Sequence, residues 1–290
     1  AGGGLIHSRN NSKRFHTARA AQTAVMAVLL ARRGLRAGLG VLEDPRWGYR
    51  RAMTYSGEGP VEIPQPDTAG VVNEFGERWR AFDRLGMKYY PFHSAGQTIL
   101  DNCRSLVVEH GVRAADVADV RIGLTSFMYG HDTMLVPATD IGDANFCLPF
   151  AAAVGLLRHP PRLTETRDAS IAPAFVRAVD DPEIKRLETL VGFEVAPELD
   201  DENPYTMDTV VTVTRTDGST ATSRTTYGHA ARARGGAGGI GFAPSSDDGI
   251  ATKFLNLTEP ALGREPAERL LAAITGEGDL LTALRESTAR

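Results

Sequence analysis

The sequence predicts a protein of more than one domain, α and α+β: an all-α helical domain, discontinuous in sequence, with an inserted α+β domain. Three observations predict it. Residues 20–33 read as an alanine-rich amphipathic helix, and helical patterning returns at 253–257 and 265–274 near the other end of the chain. Between these, Val120, Ile122, Leu124 and Ser126 alternate with Arg121, Gly123 and Thr125, as in a strand with one wetter face. Two Thr/Val-rich runs, 208–215 and 219–227, flank Thr216-Asp217-Gly218, and Asp-Gly between β-branched runs is a strong hairpin signal. The order gives residues 1–89 as the first helical part, 90–232 as the α+β insert, and 233–290 as a linker and second helical part. A chain of 290 residues is long enough for two domains.

Composition excludes several classes. With a formal net charge of −4 and no compact basic tract, the chain offers no positive field for nucleic acid. Its apolar runs fall short of the roughly 18–20 residues a membrane span requires, so no membrane partner is expected. Cys103 and Cys147 both lie in apolar runs and read as buried thiols in a reducing, cytoplasmic setting. No cluster of His, Cys and carboxylate has metal-ligand spacing, so no metal is expected. The Gly-rich stretch 233–241 follows a hairpin and precedes no Gly-Lys-Ser/Thr, which argues against a phosphate loop. Ala1-Gly2-Gly3-Gly4-Leu5 reads as the interior of a longer protein or a processed start.

In chain order, the first helix presents Ala20, Ala21, Ala24, Val25, Val28 and Ala31 as an apolar face, and Gly34 stops it. Residues 40–68 read as irregular, with a short helix near 45–53, and 71–85 as either a helix or a packed loop. Ile99, Cys103, Leu106, Val107 and His110 share a face of a further helix that Gly111 ends. Residues 130–142 read as a loop, and 144–157 as an apolar helix interrupted early by Pro149. Asp181-Pro182 opens another helix, Asp as N-cap and Pro in the first turn, whose face includes Ile184, Leu187 and Val191.

The stretch with most chemistry is 87–98, Met-Lys-Tyr-Tyr-Pro-Phe-His-Ser-Ala-Gly-Gln-Thr. Pro91 disfavours helix at Tyr90, so Lys88 to Tyr90 should arrive extended, with a helix starting just beyond. Lys88 and His93 then read in one of two ways. They converge on one anionic group, or they are solvent-facing side chains of a strand-to-helix connection.

Several segments together resemble the C-terminal two-thirds of the MmgE/PrpD family of 2-methylcitrate dehydratases, cis-aconitate decarboxylases and iminodisuccinate epimerases. Lys13-Arg14-Phe15-His16-Thr17-Ala18-Arg19-Ala20-Ala21 resembles its Lys-x-x-His-x-Gly-x-Ala-Ala helix start, and Lys88-Tyr89-Tyr90-Pro91 its Lys-x-x-Pro. Residues 120–129 resemble a strand ending in a tyrosine, and Asn145-Phe146-Cys147-Leu148-Pro149-Phe150-Ala151 a Ser-Leu-x-Tyr-x-x-Ala helix. The hairpin ending in Tyr227-Gly228 and the run from Pro244 through Lys253-Phe254 complete an ordered set covering nearly the whole chain.

The resemblance implies a discontinuous helical domain, an α+β lid, a homodimer, and a cofactor-free site between the domains that acts on a small di- or tricarboxylate. The pocket residues of cis-aconitate decarboxylases fall on Lys13, Lys88, His93 and Tyr129. Lys13 and Lys88 are implied as carboxylate clamps, with His16 assisting substrate binding from the helix start. His93 is implied in proton exchange with substrate carbon, and Tyr129 in donating to a carboxylate. Two departures stand out. The family's Gly after the helix-start His is absent from Thr17-Ala18-Arg19, and Ala95 replaces a His of the methylcitrate dehydratases. His93, two residues after Pro91, favours the decarboxylase-like arrangement. Full-length members carry a further N-terminal segment with an Asp, a Thr and two His of their site. The resemblance implies that a partner chain supplies that half, that this chain is part of a longer one, or that activity has been lost. Lyase chemistry, either decarboxylation or dehydration, is the leading expectation, with an epimerase or a non-catalytic half-site subunit as the alternatives.

Overall fold

The computed structural model describes residues 13–38, 40–41, 44, 77, 88–130, 136–200, 207–225 and 247–288, without the side chains of residues 13, 14, 17, 247 and 288. The readings for 45–53, 71–85 and 233–241 lie outside the described residues. The chain divides into two compact units, residues 14–80 and residues 1–13 with 81–290, so the sheet and the C-terminal helices share a unit. Among the described residues of the first unit, helix α1 (Lys13–Arg32) is the regular element. Gly34 terminates it with φ 91°, a backbone conformation that glycine reaches without steric penalty. Val25, Met26 and Val28 along α1 are exposed.

Residues 88–288 are α+β among the described residues. Helix α2 (Ser94–Val108) leads into strand β1 (Val117–Leu124). Short helices α3 (Ser126–Tyr129) and α4 (Ile141–Ala144) follow, then α5 (Leu148–Arg158), α6 (Ile171–Ala178) and α7 (Pro182–Glu188). Strand β2 (Val191–Val195), the turn-length helix α8 (Pro197–Asp200) and the hairpin β3 (Thr209–Arg215) and β4 (Thr220–Thr225) complete the sheet. Helices α9 (Asp247–Leu262), α10 (Arg264–Ile274) and α11 (Leu280–Thr288) form the C-terminal part. The strand order is β2-β1-β3-β4, with β1 parallel to β2 and antiparallel to β3. Among the described residues no helix is long and apolar enough to cross a membrane.

β1 is an inner strand, and its alternation matches the expected one only in part, since Thr125 of the expected wetter face is buried and Ser126 of the other face is exposed. Val120, Ile122 and Leu124 are buried while Arg121 is exposed. Gly123 is buried too, because a Cβ there would lie 2.9 Å from that of Ala196. Helix α2 runs along β3. Thr98 Oγ1 donates to Met207 O (2.8 Å), Asn102 Nδ2 to Thr209 O (3.0 Å), and Arg215 Nη2 to His110 O (2.9 Å). Asn102 Oδ1 accepts from the hydroxyls of Ser223 and Thr225 on β4. On α2, Ile99, Cys103 and Leu106 are fully buried, and Gly111 ends the segment with φ 63°. The expected hairpin is present, with Gly218 at φ 84° donating to Arg215 O.

Four local expectations are corrected. Pro149 does not interrupt a helix but starts one. Cys147 is the N-cap of α5, its sulfur accepting from Phe150 N–H, and proline fits a first turn whose N–H groups have no intrahelical partner anyway. Val191 is not on the Asp181 helix. That helix ends at Glu188, and Val191 opens β2, paired with Val120. The strand before Tyr129 stops at Leu124, because the Thr125 hydroxyl accepts from Met128 N–H and caps α3, leaving Tyr129 the last residue of a helical turn. Tyr89 and Tyr90 are bent where extended chain from Lys88 to Tyr90 was expected, for reasons that belong to the site.

Candidate functional site

The 88–93 turn is wound around one side chain, Gln97. Its Oε1 accepts from the backbone N–H groups of both Tyr89 (2.8 Å) and Tyr90 (2.9 Å). Its Nε2 donates to the carbonyls of Tyr90 and Phe92, both at 3.0 Å. Two adjacent N–H groups meeting one oxygen cannot belong to extended chain, whose successive N–H groups point to opposite sides. Phe92 N–H then bonds Tyr90 O at 2.8 Å, which closes the turn about Pro91. Gln97 is fully buried, so its amide replaces the water these backbone groups would otherwise need.

Packing fixes the turn from below. The buried Phe92 ring lies 5.7 Å from that of Phe150 and 5.3 Å, edge-on, from that of Phe175. A Cβ on Gly96 would lie 2.9 Å from Phe92 Cβ, so glycine permits this approach of helix to ring. A polar brace holds the two tyrosines. The Tyr90 hydroxyl donates to Asp101 Oδ1 (2.7 Å), and Arg162 forks onto the same carboxylate from Nε (3.2 Å) and Nη2 (2.7 Å). The Arg162 guanidinium also sits 4.4 Å above the Tyr89 ring, while Leu163 N–H bonds Tyr89 O. Burial, and next the Asp101 charge, push the Tyr90 phenol well above its usual range. Burial works against the Arg162 charge, but Asp101 outweighs it and the guanidinium ends above its ordinary value.

His93 is the N-cap of α2 and half-buried. Its N–H donates to Asn145 O (2.7 Å), and its ring lies 5.8 Å from that of Phe146, in the α4–α5 connection. Nδ1 accepts from Ala95 N–H at 3.4 Å. Lys88, at the other end of the turn, is also half-buried. Lys253 of α9 donates from Nζ to the Lys88 carbonyl at 2.7 Å, and burial lowers the Lys253 pKa.

The other sequence-predicted residues are placed as follows. Tyr129 ends α3, exposed, its N–H bonded to Thr125 O. Because Leu124 pairs with Thr209, and Asn102 and Thr98 tie the first half of α2 to Thr209 and Met207, His93 and Tyr129 lie toward the same end of the sheet. Lys13 opens α1, its side chain outside the described residues, and His16 is half-buried in the first turn. A cleft of about 330 Å³ between α5 and α6 is lined by Val154, Arg158, Pro161, Ile171, Phe175 and Arg177, and by none of the five candidates. Among the described residues no three of His, Cys, Asp and Glu are grouped as a metal site would require.

Two residues of the site escaped sequence reasoning. Gln97 carried a faint signal, as a polar residue in the first turn of a helix whose neighbours Ala95 and Gly96 are small enough for close packing. Lys253 carried none from spacing, since its bond partner lies 165 residues away.

Against known proteins, residues 90–276 match the MmgE/PrpD C-terminal domain. No curated protein matches the chain.

Proposed function

The chain belongs to the MmgE/PrpD family, and from that premise we propose that it serves a cofactor-independent lyase reaction, decarboxylation or dehydration, on a small di- or tricarboxylate such as cis-aconitate or 2-methylcitrate. The observation that carries this reading is the 88–93 turn. A lysine and an imidazole stand at its two ends, and Gln97, Phe92 and the Asp101–Arg162 brace hold the backbone between them. Removing carbon dioxide or water next to a carboxylate builds negative charge on the substrate. Fixed cations stabilise that charge without reorganising as it grows, which mobile water cannot do. In this reading Lys88 and Lys13 clamp substrate carboxylates and His16 assists binding. His93 exchanges a proton with substrate carbon, and Tyr129 donates to a carboxylate.

The family match is to the C-terminal domain, which favours a second element in the reading: a family N-terminal half completes the site, from the same polypeptide or a partner chain, within a homodimer or a mixed assembly. Mass spectrometry of native material tests this through the size of any co-purifying chain. Steady-state kinetics on cis-aconitate, 2-methylcitrate and related acids test the chemistry. Lys88→Ala is expected to lower kcat/KM by about 10²–10³, the usual loss for one fixed donor to developing charge. Lys88→Arg should recover only part, because a planar fork does not fill the place of a compact ammonium. His110→Ala is the control, since it lies beyond the far end of α2, roughly 20 Å along a 15-residue helix. Near-parental kcat/KM in Lys88→Ala would make the lysine structural. Racemisation without loss of water or carbon dioxide would move the assignment to an epimerase.

A further inference from the structure

We infer that Lys253 is a positioning residue for Lys88, a role that rests on the reading of Lys88 as a substrate clamp. The backbone of the turn is held group by group. Gln97 takes the N–H groups of Tyr89 and Tyr90 and the carbonyls of Tyr90 and Phe92, and Leu163 N–H takes the Tyr89 carbonyl. The Lys88 carbonyl, nearest the root of the clamp side chain, goes to Lys253 Nζ at 2.7 Å. That donor comes from α9, and α9 is itself anchored beside the turn. One helical turn beyond Lys253, the fully buried Asn256 donates to Leu163 O (2.9 Å) and Thr166 O (2.7 Å) and accepts from Asp168 N–H (2.9 Å). Leu163 thus ties Tyr89 to α9 through its own two backbone groups, and Lys253 ties Lys88 to the same helix.

The chemistry of the donor supports a role beyond docking. An ammonium that is half-buried loses hydration, and burial disfavours its charge. For α9 docking alone, a neutral side chain of similar length would avoid that loss. A cation at this point does two things a neutral group does not. It makes a charge-assisted bond, stronger than a neutral one, to the carbonyl that fixes where the Lys88 side chain begins. It also adds positive potential beside the place where a polycarboxylate is to be clamped. A flexible lysine clamp loses affinity when its root is free to rotate, and displacement by about 1 Å is enough to lower rates by roughly a hundredfold.

The test is isothermal titration of the native assembly, this chain together with the N-terminal half that completes its site, with tricarballylate, a tricarboxylate with no double bond or hydroxyl to react, run in parallel on five variants of this chain. Lys253→Met is expected to bind roughly ten- to a hundredfold more weakly, and Lys253→Arg, which keeps a charged donor, to recover most of the loss. Gly218→Ala, at the hairpin turn, lowers the melting temperature without touching either lysine and is expected to keep parental affinity, which separates positioning from general destabilisation. Should Lys253→Met fail to fold, Lys253→Gln, with a neutral donor on a shorter stem, is read in its place with the same expected loss. Lys88→Ala reports on the underlying reading. If it loses binding while the neutral Lys253 variant keeps it, the inference on Lys253 is overturned and the clamp stands. If Lys88→Ala binds like the parent, or the parent binds nothing, both fall. An equal loss in Gly218→Ala would also overturn the positioning role.

Discussion

Gln97 shows how much one buried amide can organise. The N–H groups of Tyr89 and Tyr90 and the carbonyls of Tyr90, Phe92 and His93 all bond it, and a leucine of similar volume would take that partner from each, with Tyr90 O keeping its bond from Phe92 N–H. Each unmade buried bond costs about 1–3 kcal/mol, although part of the turn would relax to reach water. Gln97→Leu is therefore expected to lower the unfolding free energy by about 3 kcal/mol or more, read from urea denaturation. An effect under about 1 kcal/mol would mean that the turn is held by packing alone. Tyr90 permits a test with a definite sign. Its folded-state pKa is raised by burial and by Asp101, so the neutral phenol favours the folded state. That contribution is fully present below the unfolded value of about 10 and is lost as pH rises from there toward the folded value. Stability of the parent is thus expected to fall between pH 9.5 and 11.5 more steeply than that of Tyr90→Phe. Parallel slopes in urea midpoints across that window would contradict the assignment. At lower pH, Tyr90→Phe is expected to be less stable by about 1.5–3 kcal/mol, the range for a bond to a charged acceptor.

At the scale of elements, α2 is the piece on which the others depend. One side is bolted to β3 and β4 through Asn102, and the other lies against α5, where Gly155 faces Cys103. A Cβ at position 155 would lie 2.6 Å from Cys103 Cβ, closer than real carbons come. Alanine gains about 1 kcal/mol over glycine in helix propensity, but overpacking costs about 1–3 kcal/mol, so the steric effect wins. Gly155→Ala is expected to destabilise by about 1–2 kcal/mol. Adding Cys103→Ala should not rescue it, because the clash is with the Cβ that alanine retains. Rescue by that second change, measured in a double-mutant cycle, would place the contact on the sulfur instead. The cysteine itself is inert in this setting, since complete burial pushes its thiol far above the usual range.

On the scale of the whole molecule, polar contacts join the C-terminal helices to the sheet-bearing part. Asn256 is the centre of the joint, with Arg167 reaching Glu259 beside it. Asn256→Ala leaves two carbonyls and one N–H without their partner and is expected to cost about 2–4 kcal/mol. Limited proteolysis should then cut within 247–288 before the sheet core, because the segment that docks the helices has lost its anchor. Cleavage at an unchanged rate would mean that apolar contact between α9 and its neighbours suffices. The same joint carries Lys253, so the turn that bears Lys88 and His93 is coupled to the far end of the sequence through one helix.

Local rules determined those parts of the protein whose energetics are local. The stops at Gly34 and Gly111, the N-cap Asp181 before Pro182, and the Asp217-Gly218 hairpin were legible because backbone sterics and nearest-neighbour bonds settle them within a few residues. The buried face of β1 and the buried thiols followed from period and polarity alone. Lys88 and His93 stood out as chemistry, and the ordered family segments gave the class of substrate to propose. Tertiary structure decided the rest. The bend at Tyr89–Tyr90 arises from Gln97, seven or eight residues onward, and not from the proline whose local preference pointed to extended chain. Val191 became a strand because Val120 was there to pair with it, and a five-residue apolar run has no period strong enough to announce that. Lys253 acquired its partner only when α9 folded back across 165 residues of chain. A pairing of that kind is set by packing of the whole unit, and neither residue type nor spacing records it.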